Sequence, residues 1–135
     1  MKLMGVDYGK RRIGVSVTDS TGVCVRGLTT IDCRKTDSPL SALVRLIEQE
    51  KPQKIVFGLP LGPDDEETYM SREVRSFADT LMQQTRLAVT FIDESFSSRR
   101  AEQFLSFKSR KKRHDKANVD RIAACLILEE YLKEI

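Results

Sequence analysis

The chain has 135 residues and a formal net charge of +3, and 40% of its residues are hydrophobic and 32% charged. This composition is typical of one globular domain, residues 1–135. No apolar run approaches the ~20 residues of a membrane span, and the N-terminus lacks the apolar segment of a secretory signal. A cytoplasmic location with no membrane partner is therefore expected. The three scattered cysteines indicate free thiols, not a disulfide or zinc framework.

The first part of the chain predicts three consecutive antiparallel strands. The segments LMGVDYG, RIGVSVTD and VCVRGLTTI are apolar or β-branched, and Ile13, Val15 and Val17 alternate with small or polar residues. The turns between the segments, Gly-Lys-Arg-Arg and Asp-Ser-Thr-Gly, are too short for a crossover connection. Hairpins are therefore expected.

Helices alternate with strands in the remainder. Ser38 and Pro39 are typical of a helix N-cap and first position, and Pro52 favours a helix end near Lys51. Two apolar segments are typical of buried parallel strands, KIVFGLPL and LAVTFIDES. Three further segments are predicted to be helices: MSREVRSFADTLMQQ, SSRRAEQFLSF and NVDRIAACLILEEYLKEI. The order predicts an α/β fold: a five-stranded mixed sheet, three antiparallel hairpin strands and then parallel strands, flanked by helices.

Acidic residues fall at three places with apolar surroundings. Asp7 lies in the first strand, and Glu94, after Asp93, lies at the end of LAVTFID, where α/β sheets gather ligands. Asp120 lies early in the last helix, on the same face as the apolar residues at i+3, i+4 and i+7. These positions predict inward-facing carboxylates.

Inward carboxylates without an obvious basic partner need a compensating cation. Oxygen ligands favour Mg²⁺ or Mn²⁺ over Zn²⁺, and the single histidine, His114, lies in a basic segment. Two such ions ~4 Å apart would suit phosphodiester hydrolysis. Taken singly, Asp7 fits a turn, Asp93 or Glu94 a helix cap, and Asp120 a first-turn charge behind an Asn118 N-cap. Their joint placement favours a metal centre and leaves the reaction open.

Basic residues form two groups, one in the first turn and one just before the last helix. Clustered basic residues beside a metal site suit the polyanionic backbone of a nucleic acid. Neither group contains a base-reading motif, so the sequence predicts affinity for nucleic acid without sequence specificity. Core packing is favoured over base stacking for Tyr8 and Phe107. The predicted nucleic-acid-binding residues are Lys10, Arg11, Arg12, Lys108, Arg110, Lys111, Lys112, Arg113 and Lys116.

Four segments resemble the YqgF family. VDYGKRRIGVSVTD is similar to that family's D-Y-G-x-K-R-I-G-V-A-V-S-D, and IVFGLPL to its I-V-V-G-L-P-L. IDESFSS resembles D-E-R-L-S-T, and VDRIAACLILEEYL resembles D-A-I-A-A-A-L-I-L-Q-x-Y-L. The segments come in the family's order and extend over nearly the whole chain, so the combination is specific.

The resemblance implies a ribonuclease-H-like nuclease with Asp7, Glu94 and Asp120 as catalytic acids and metal ligands for Mg²⁺ or Mn²⁺. It implies 5′-end maturation of pre-16S rRNA, with Holliday-junction resolution as the alternative and precursor ribosomal particles as possible partners. Ser95 and Phe96 replace the family's Arg and Leu, so a substitute phosphate contact is expected from Arg99 or Arg100. The acidic segment 62–67 replaces an Asp-Gly-Ser-rich loop and would repel a phosphate backbone.

Two other classes stay open beside the nuclease. A non-catalytic nucleic-acid-binding assembly factor would use the basic groups but has no need of inward acids. A sugar kinase or ATPase shares a glycine-containing hairpin after a strand aspartate, but needs two such domains around a cleft. The sequence distinguishes neither RNA from branched DNA nor a monomer from a dimer.

Overall fold

The computed structural model describes residues 1–93 and 116–135, with side chains in the second range described from Asn118 onward. A short 3₁₀ turn covers Pro63–Asp65 between the fourth strand and the second helix. The strands and helices, in chain order, are β1 (Leu3–Asp7), β2 (Arg12–Thr18), β3 (Val25–Asp32), α1 (Pro39–Glu50), β4 (Lys54–Leu59), α2 (Tyr69–Thr85), β5 (Ala88–Asp93) and α3 (Lys116–Glu134).

One sheet of five strands in the order β3-β2-β1-β4-β5 organises the described residues. The pairs β1–β2 and β2–β3 are antiparallel, and β1–β4 and β4–β5 are parallel. The predicted mixed sheet is therefore confirmed. The parallel strands end at Asp7, Leu59 and Asp93, so their carboxyl ends share one edge, where ligands bind in open α/β sheets.

Helices cover both faces of this sheet. On one face Met4, Val6 and Phe57 pack with residues of α1 and α2 in the larger apolar cluster. On the other face Leu3, Val56 and Ile92 pack with Ile127 and Leu128 of α3. Because successive strand residues point to opposite faces, each strand divides its side chains between the two layers.

The helix ends follow the sequence signals. Ser38 caps α1 by accepting a hydrogen bond from the Ser41 amide, and Lys51 ends the helix in the left-handed conformation. Thr68 and Ser71 form a capping box at the start of α2. The Thr68 hydroxyl also donates to the Pro60 carbonyl at 2.7 Å, which fixes α2 to the chain just after β4.

Strand β5 is less buried than its sequence predicts. Only Ile92 is fully buried in it, and Ala88 and Asp93 are exposed. The prediction of a second buried strand is wrong because β5 lies at the sheet edge, paired with β4 alone. The short helix predicted from Ser97 or Ser98 lies outside the described residues. Within those residues, no helix is both long and apolar enough to cross a membrane.

Candidate carboxylate site at the strand ends

Asp7 ends the central strand β1 and faces α3. Val6 before it is buried in the cluster under α1 and α2. Alternation along the strand therefore puts Asp7 on the opposite face, together with Leu3 and Gly5. Asp7 itself is half-buried, at the carboxyl edge of the parallel strands.

Gly14 brings Asp120 to the same place. It pairs with Asp7 across the β1–β2 ladder. A Cβ atom on Gly14 would overlap the carbonyl oxygen of Asp120, and the Asp120 Cβ would lie 3.1 Å away. The start of α3 thus rests directly on the strand position opposite Asp7. The structure brings together two of the three predicted acids, although they are far apart in sequence.

Asp120 is paired with Arg12. The Arg12 Nε donates to Asp120 Oδ2 at 2.8 Å, and the two side chains are 26% and 21% exposed. The expectation that the inward acids lack a basic partner is therefore wrong for Asp120. Arg12 begins β2 next to the turn that follows Asp7, so the hairpin itself carries this cation to the helix.

The alternative in which Asn118 caps the last helix is also wrong. Helix α3 already includes Lys116, so Asn118 lies within the helix and is not its N-cap. There the Asn118 Oδ1 accepts a hydrogen bond from Arg121 Nη2 at 3.4 Å. The apolar face predicted behind Asp120 is confirmed, since Ala123, Ala124 and Ile127 are buried.

The donors at this edge suit a hard divalent cation. Asp7 and Asp120 offer carboxylate oxygens on one face of the sheet, the ligand type preferred by Mg²⁺ and Mn²⁺. Residues 1–93 and 116–135 contain no group of three or more His, Cys, Asp or Glu side chains able to hold a metal. Glu94, the third predicted ligand, lies outside these ranges. The described pair therefore fits part of a carboxylate metal site.

The three basic residues of the first turn lie in three different environments. Lys10 donates to the Tyr69 hydroxyl, Arg11 is exposed, and Arg12 binds Asp120. Lys116 lies in α3. Arg99 and Arg100, and the basic residues Lys108, Arg110, Lys111, Lys112 and Arg113, lie outside the described residues.

Tyr69 is the residue at this edge that the sequence interpretation missed. It is the first residue of α2 and is 62% exposed. Its signal was its position: Tyr69 directly follows the Thr68 cap and is off the face formed by Val74, Ala78 and Leu81. Tyr8 packs against the larger apolar cluster, as predicted, with its ring centroid 4.7 Å from that of Phe77.

Comparisons with curated proteins give relatives over nearly the full length. The chain is 40% identical over 132 residues to a protein of Nitratidesulfovibrio vulgaris, covering 98% of this chain and 93% of the relative. A Chromobacterium violaceum protein is 40% identical, with 97% and 96% covered, and a Synechococcus elongatus protein is 35% identical, with 97% and 88% covered. All three carry the name "Putative pre-16S rRNA nuclease".

Solved structures of resolvases share the fold. The Thermus thermophilus RuvC bound to a Holliday junction matches with a TM-score of 0.60 at 13% identity, over 99% of this chain and 96% of that one. The fowlpox virus resolvase, also with junction DNA, matches with a TM-score of 0.59 at 14% identity, over 99% and 98%. These similarities confirm the predicted ribonuclease-H-like fold.

The sequence model of one family matches residues 1–134, and that family, RuvX, is described as Holliday junction resolvase. The match includes the four segments that resemble YqgF sequences. The relatives above extend over the same length of the chain. The chain therefore belongs to the RuvX (YqgF) family.

Proposed function

We propose that this protein is a metal-dependent nuclease that matures the 5′ end of pre-16S rRNA during ribosome biogenesis in the cytoplasm. The observation that carries the proposal is that Asp7 and Asp120 both adjoin Gly14, at the carboxyl edge of the parallel strands. The names of the curated relatives support the choice of substrate. Residues 1–135 would act as one domain.

Asp7, Glu94 and Asp120 would hold Mg²⁺ or Mn²⁺ in this proposal. A bound ion would supply an activated water and neutralise the charge that develops on the phosphodiester. Arg12 holds the Asp120 carboxylate through the 2.8 Å contact, which orients the ligand before a metal binds. Asp7 is oriented by its position at the end of a strand that is paired on both sides.

The basic residues would bind the nucleic-acid backbone around this edge. Arg11 is exposed beside the site, and Lys10 lies three positions beyond Asp7. The basic group at 108–116 precedes Asp120 in the chain. Arg99 or Arg100 would contact a phosphate in place of the arginine that the family carries beside its glutamate. Such contacts to the backbone would give affinity that falls steeply with salt.

Resolution of branched DNA is the second candidate, favoured by the description of the matching family. It would use the same three acids and the same ions, because both reactions hydrolyse a phosphodiester. The two candidates differ in the nucleic acid that the basic residues receive. A comparison of the two substrates therefore distinguishes them without changing the protein.

The test incubates purified protein with a precursor 16S rRNA fragment and with a four-way DNA junction, in Mg²⁺, Mn²⁺ or chelator. The proposal predicts metal-dependent cutting of the rRNA, abolished by Asp7→Asn and by Asp120→Asn. Asp79→Asn is the matched control, since Asp79 is an exposed carboxylate on α2. Cutting of the junction alone would select the second candidate. No cutting of either substrate would overturn the nuclease and favour the non-catalytic assembly factor.

A further inference from the structure

We propose that Tyr69 and Lys10 form a stacking site for an unpaired base of single-stranded RNA at the entrance to the carboxylate site. The proposal rests on the proposed function, because it takes the nuclease's substrate to be RNA. It names the local form of that substrate: an unpaired stretch beside the bond that is cut.

Tyr69 and Lys10 make a contact that fixes both side chains. The Lys10 Nζ lies 4.4 Å from the centroid of the Tyr69 ring and donates to its hydroxyl at 3.2 Å. The ammonium thus covers part of the ring and also holds its polar end. The hydrogen bond to Tyr69 raises the pKa of Lys10 above its ordinary value, in keeping with a charged ammonium at this contact.

Tyr69 is exposed and has no packing role in the described apolar core. The ring is 62% exposed and belongs to neither apolar cluster among the described residues, whereas Tyr8 nearby packs against the larger one. The backbone at Tyr69 is nevertheless fixed, because Thr68 and Ser71 form the capping box that starts α2. A large, exposed aromatic ring on a fixed backbone is the type of surface on which nucleic-acid bases stack.

The surroundings of the ring suit a nucleotide. Tyr69, Arg72, Glu73 and Ser76 line a depression of about 220 Å³ on α2. Arg72 is exposed there, so two cations flank the ring, Lys10 on one side and Arg72 along the helix. Bases stack on aromatic rings while cations attract the phosphates, which is how proteins bind single strands without reading sequence.

Acidic side chains near the ring offset these two cations only in part, which leaves a net positive charge. Glu67 is held by Arg75 through two hydrogen bonds of 2.8 and 3.0 Å. Glu73 is half-buried and lines the same depression, so its negative charge offsets one of the two cations. The acidic segment 62–67 lies on the chain before Tyr69, so we expect the strand to pass on the Lys10 side.

The location connects this surface to the carboxylates. Lys10 belongs to the turn that begins just after Asp7, while Tyr69 follows the segment that leaves β4. Both segments leave the carboxyl edge of the parallel strands, with Asp7 facing α3 and Tyr69 on the α2 side. An unpaired strand that crosses this edge would place one nucleotide on Tyr69 and a phosphate near Asp7. A duplex would present no unstacked base to the ring.

The absence of tryptophan from the sequence allows a direct test. Tyr69→Trp keeps a stacking ring and introduces a unique fluorophore. Tyr131→Trp is the matched control, because Tyr131 also pairs with a lysine, Lys54, at 2.9 Å, but next to the start of β4. Each variant is titrated in chelator with a single-stranded oligoribonucleotide and with the corresponding duplex.

We expect the single strand to quench the fluorescence of Tyr69→Trp and the duplex to leave it unchanged, with little effect of either on Tyr131→Trp. Tyr69→Ala should weaken binding of the single strand by about tenfold, the size of one lost base stack, while Tyr69→Phe should stay within about twofold. Equal quenching of the two tryptophan variants, or equal affinity for Tyr69→Ala and the unchanged protein, would overturn the stacking site. Because chelator prevents cleavage, these outcomes are independent of whether the protein is a nuclease.

Discussion

At the scale of single residues, the ion pair between Arg12 and Asp120 orients the side chains of the site. Two carboxylates meeting at one edge repel each other and resist ionisation unless a cation lies nearby. Arg12 supplies that cation from within the chain, donating from Nε to Asp120 Oδ2 at 2.8 Å. The same contact positions Asp120 over the strand that contains Gly14. Arg12 is therefore a positioning residue for a proposed metal ligand.

Replacing Arg12 by methionine keeps the aliphatic stem and removes the charge. We expect Arg12→Met to lower the free energy of unfolding by about 1 kcal/mol in chelator, because Asp120 then loses its neutralising cation beside Asp7. Urea denaturation measures the change. Added Mn²⁺ should reduce the difference, since the ion replaces the lost cation. Arg12→Lys is the control that keeps the charge, and equal stability of Arg12→Met and the unchanged protein would contradict the role.

Asp7 and Asp120 could be predicted as inward acids because an apolar strand and an apolar helix face surround them. The pairing of Arg12 with Asp120 could not, since it joins residues 108 positions apart. Tyr69 was missed for a different reason. Its exposure is indicated by its place off the apolar face of α2, but the sequence predicts that helix only from Met70, one residue later.

At the scale of elements, the close approach of α3 to the first hairpin builds the site. A Cβ on Gly5 would lie 2.5 Å from Ser16 Oγ and 2.8 Å from the Ala124 carbonyl oxygen. The Ser16 hydroxyl donates to that carbonyl at 2.7 Å, a buried contact. Gly14 lies two residues nearer the site on the same face and lets the backbone of Asp120 approach the strand equally closely. Small residues on one face of the hairpin therefore allow α3 to pack close to the sheet.

A methyl group at Gly14 should therefore displace the helix. We expect Gly14→Ala to destabilise the fold by about 1–3 kcal/mol, since its Cβ meets backbone that cannot rotate away. Gly27→Ala is the matched control on the neighbouring strand, where the nearest atom is 3.4 Å from the added Cβ. Its effect should stay within about 0.5 kcal/mol. Thermal or urea unfolding measures both, and equal stabilities would show that α3 does not rest on Gly14.

The elements were predictable where a local signal marks them. Ser38 and Pro39 marked the start of α1, and short turns marked the two hairpins. The burial of β5 was overestimated because LAVTFIDES gives the pattern of a central strand. Whether a strand is central or at an edge depends on which strands pair with it, and β5 pairs with β4 alone. The position of a strand in the sheet is therefore a property of the topology and cannot be derived from the sequence of the strand alone.

At the scale of the whole molecule, one edge of one sheet gathers the proposed chemistry. Antiparallel pairing brings Arg12 and Gly14 back beside Asp7, and α3 returns from the end of the chain to place Asp120 there. On the other side of the sheet, α2 carries Tyr69 to Lys10. We expect the two carboxylates to act together at this edge as ligands of one metal centre.

Binding of Mn²⁺, followed by electron paramagnetic resonance, tests for this metal centre without requiring a substrate. We expect Asp7→Asn and Asp120→Asn each to weaken Mn²⁺ binding by about tenfold or more, since each removes a charged oxygen ligand. The double variant should lose less than the two single losses combined, because residues that share one site are not additive. Asp79→Asn should bind as the unchanged protein does. Unchanged Mn²⁺ affinity in both single variants would contradict the metal centre.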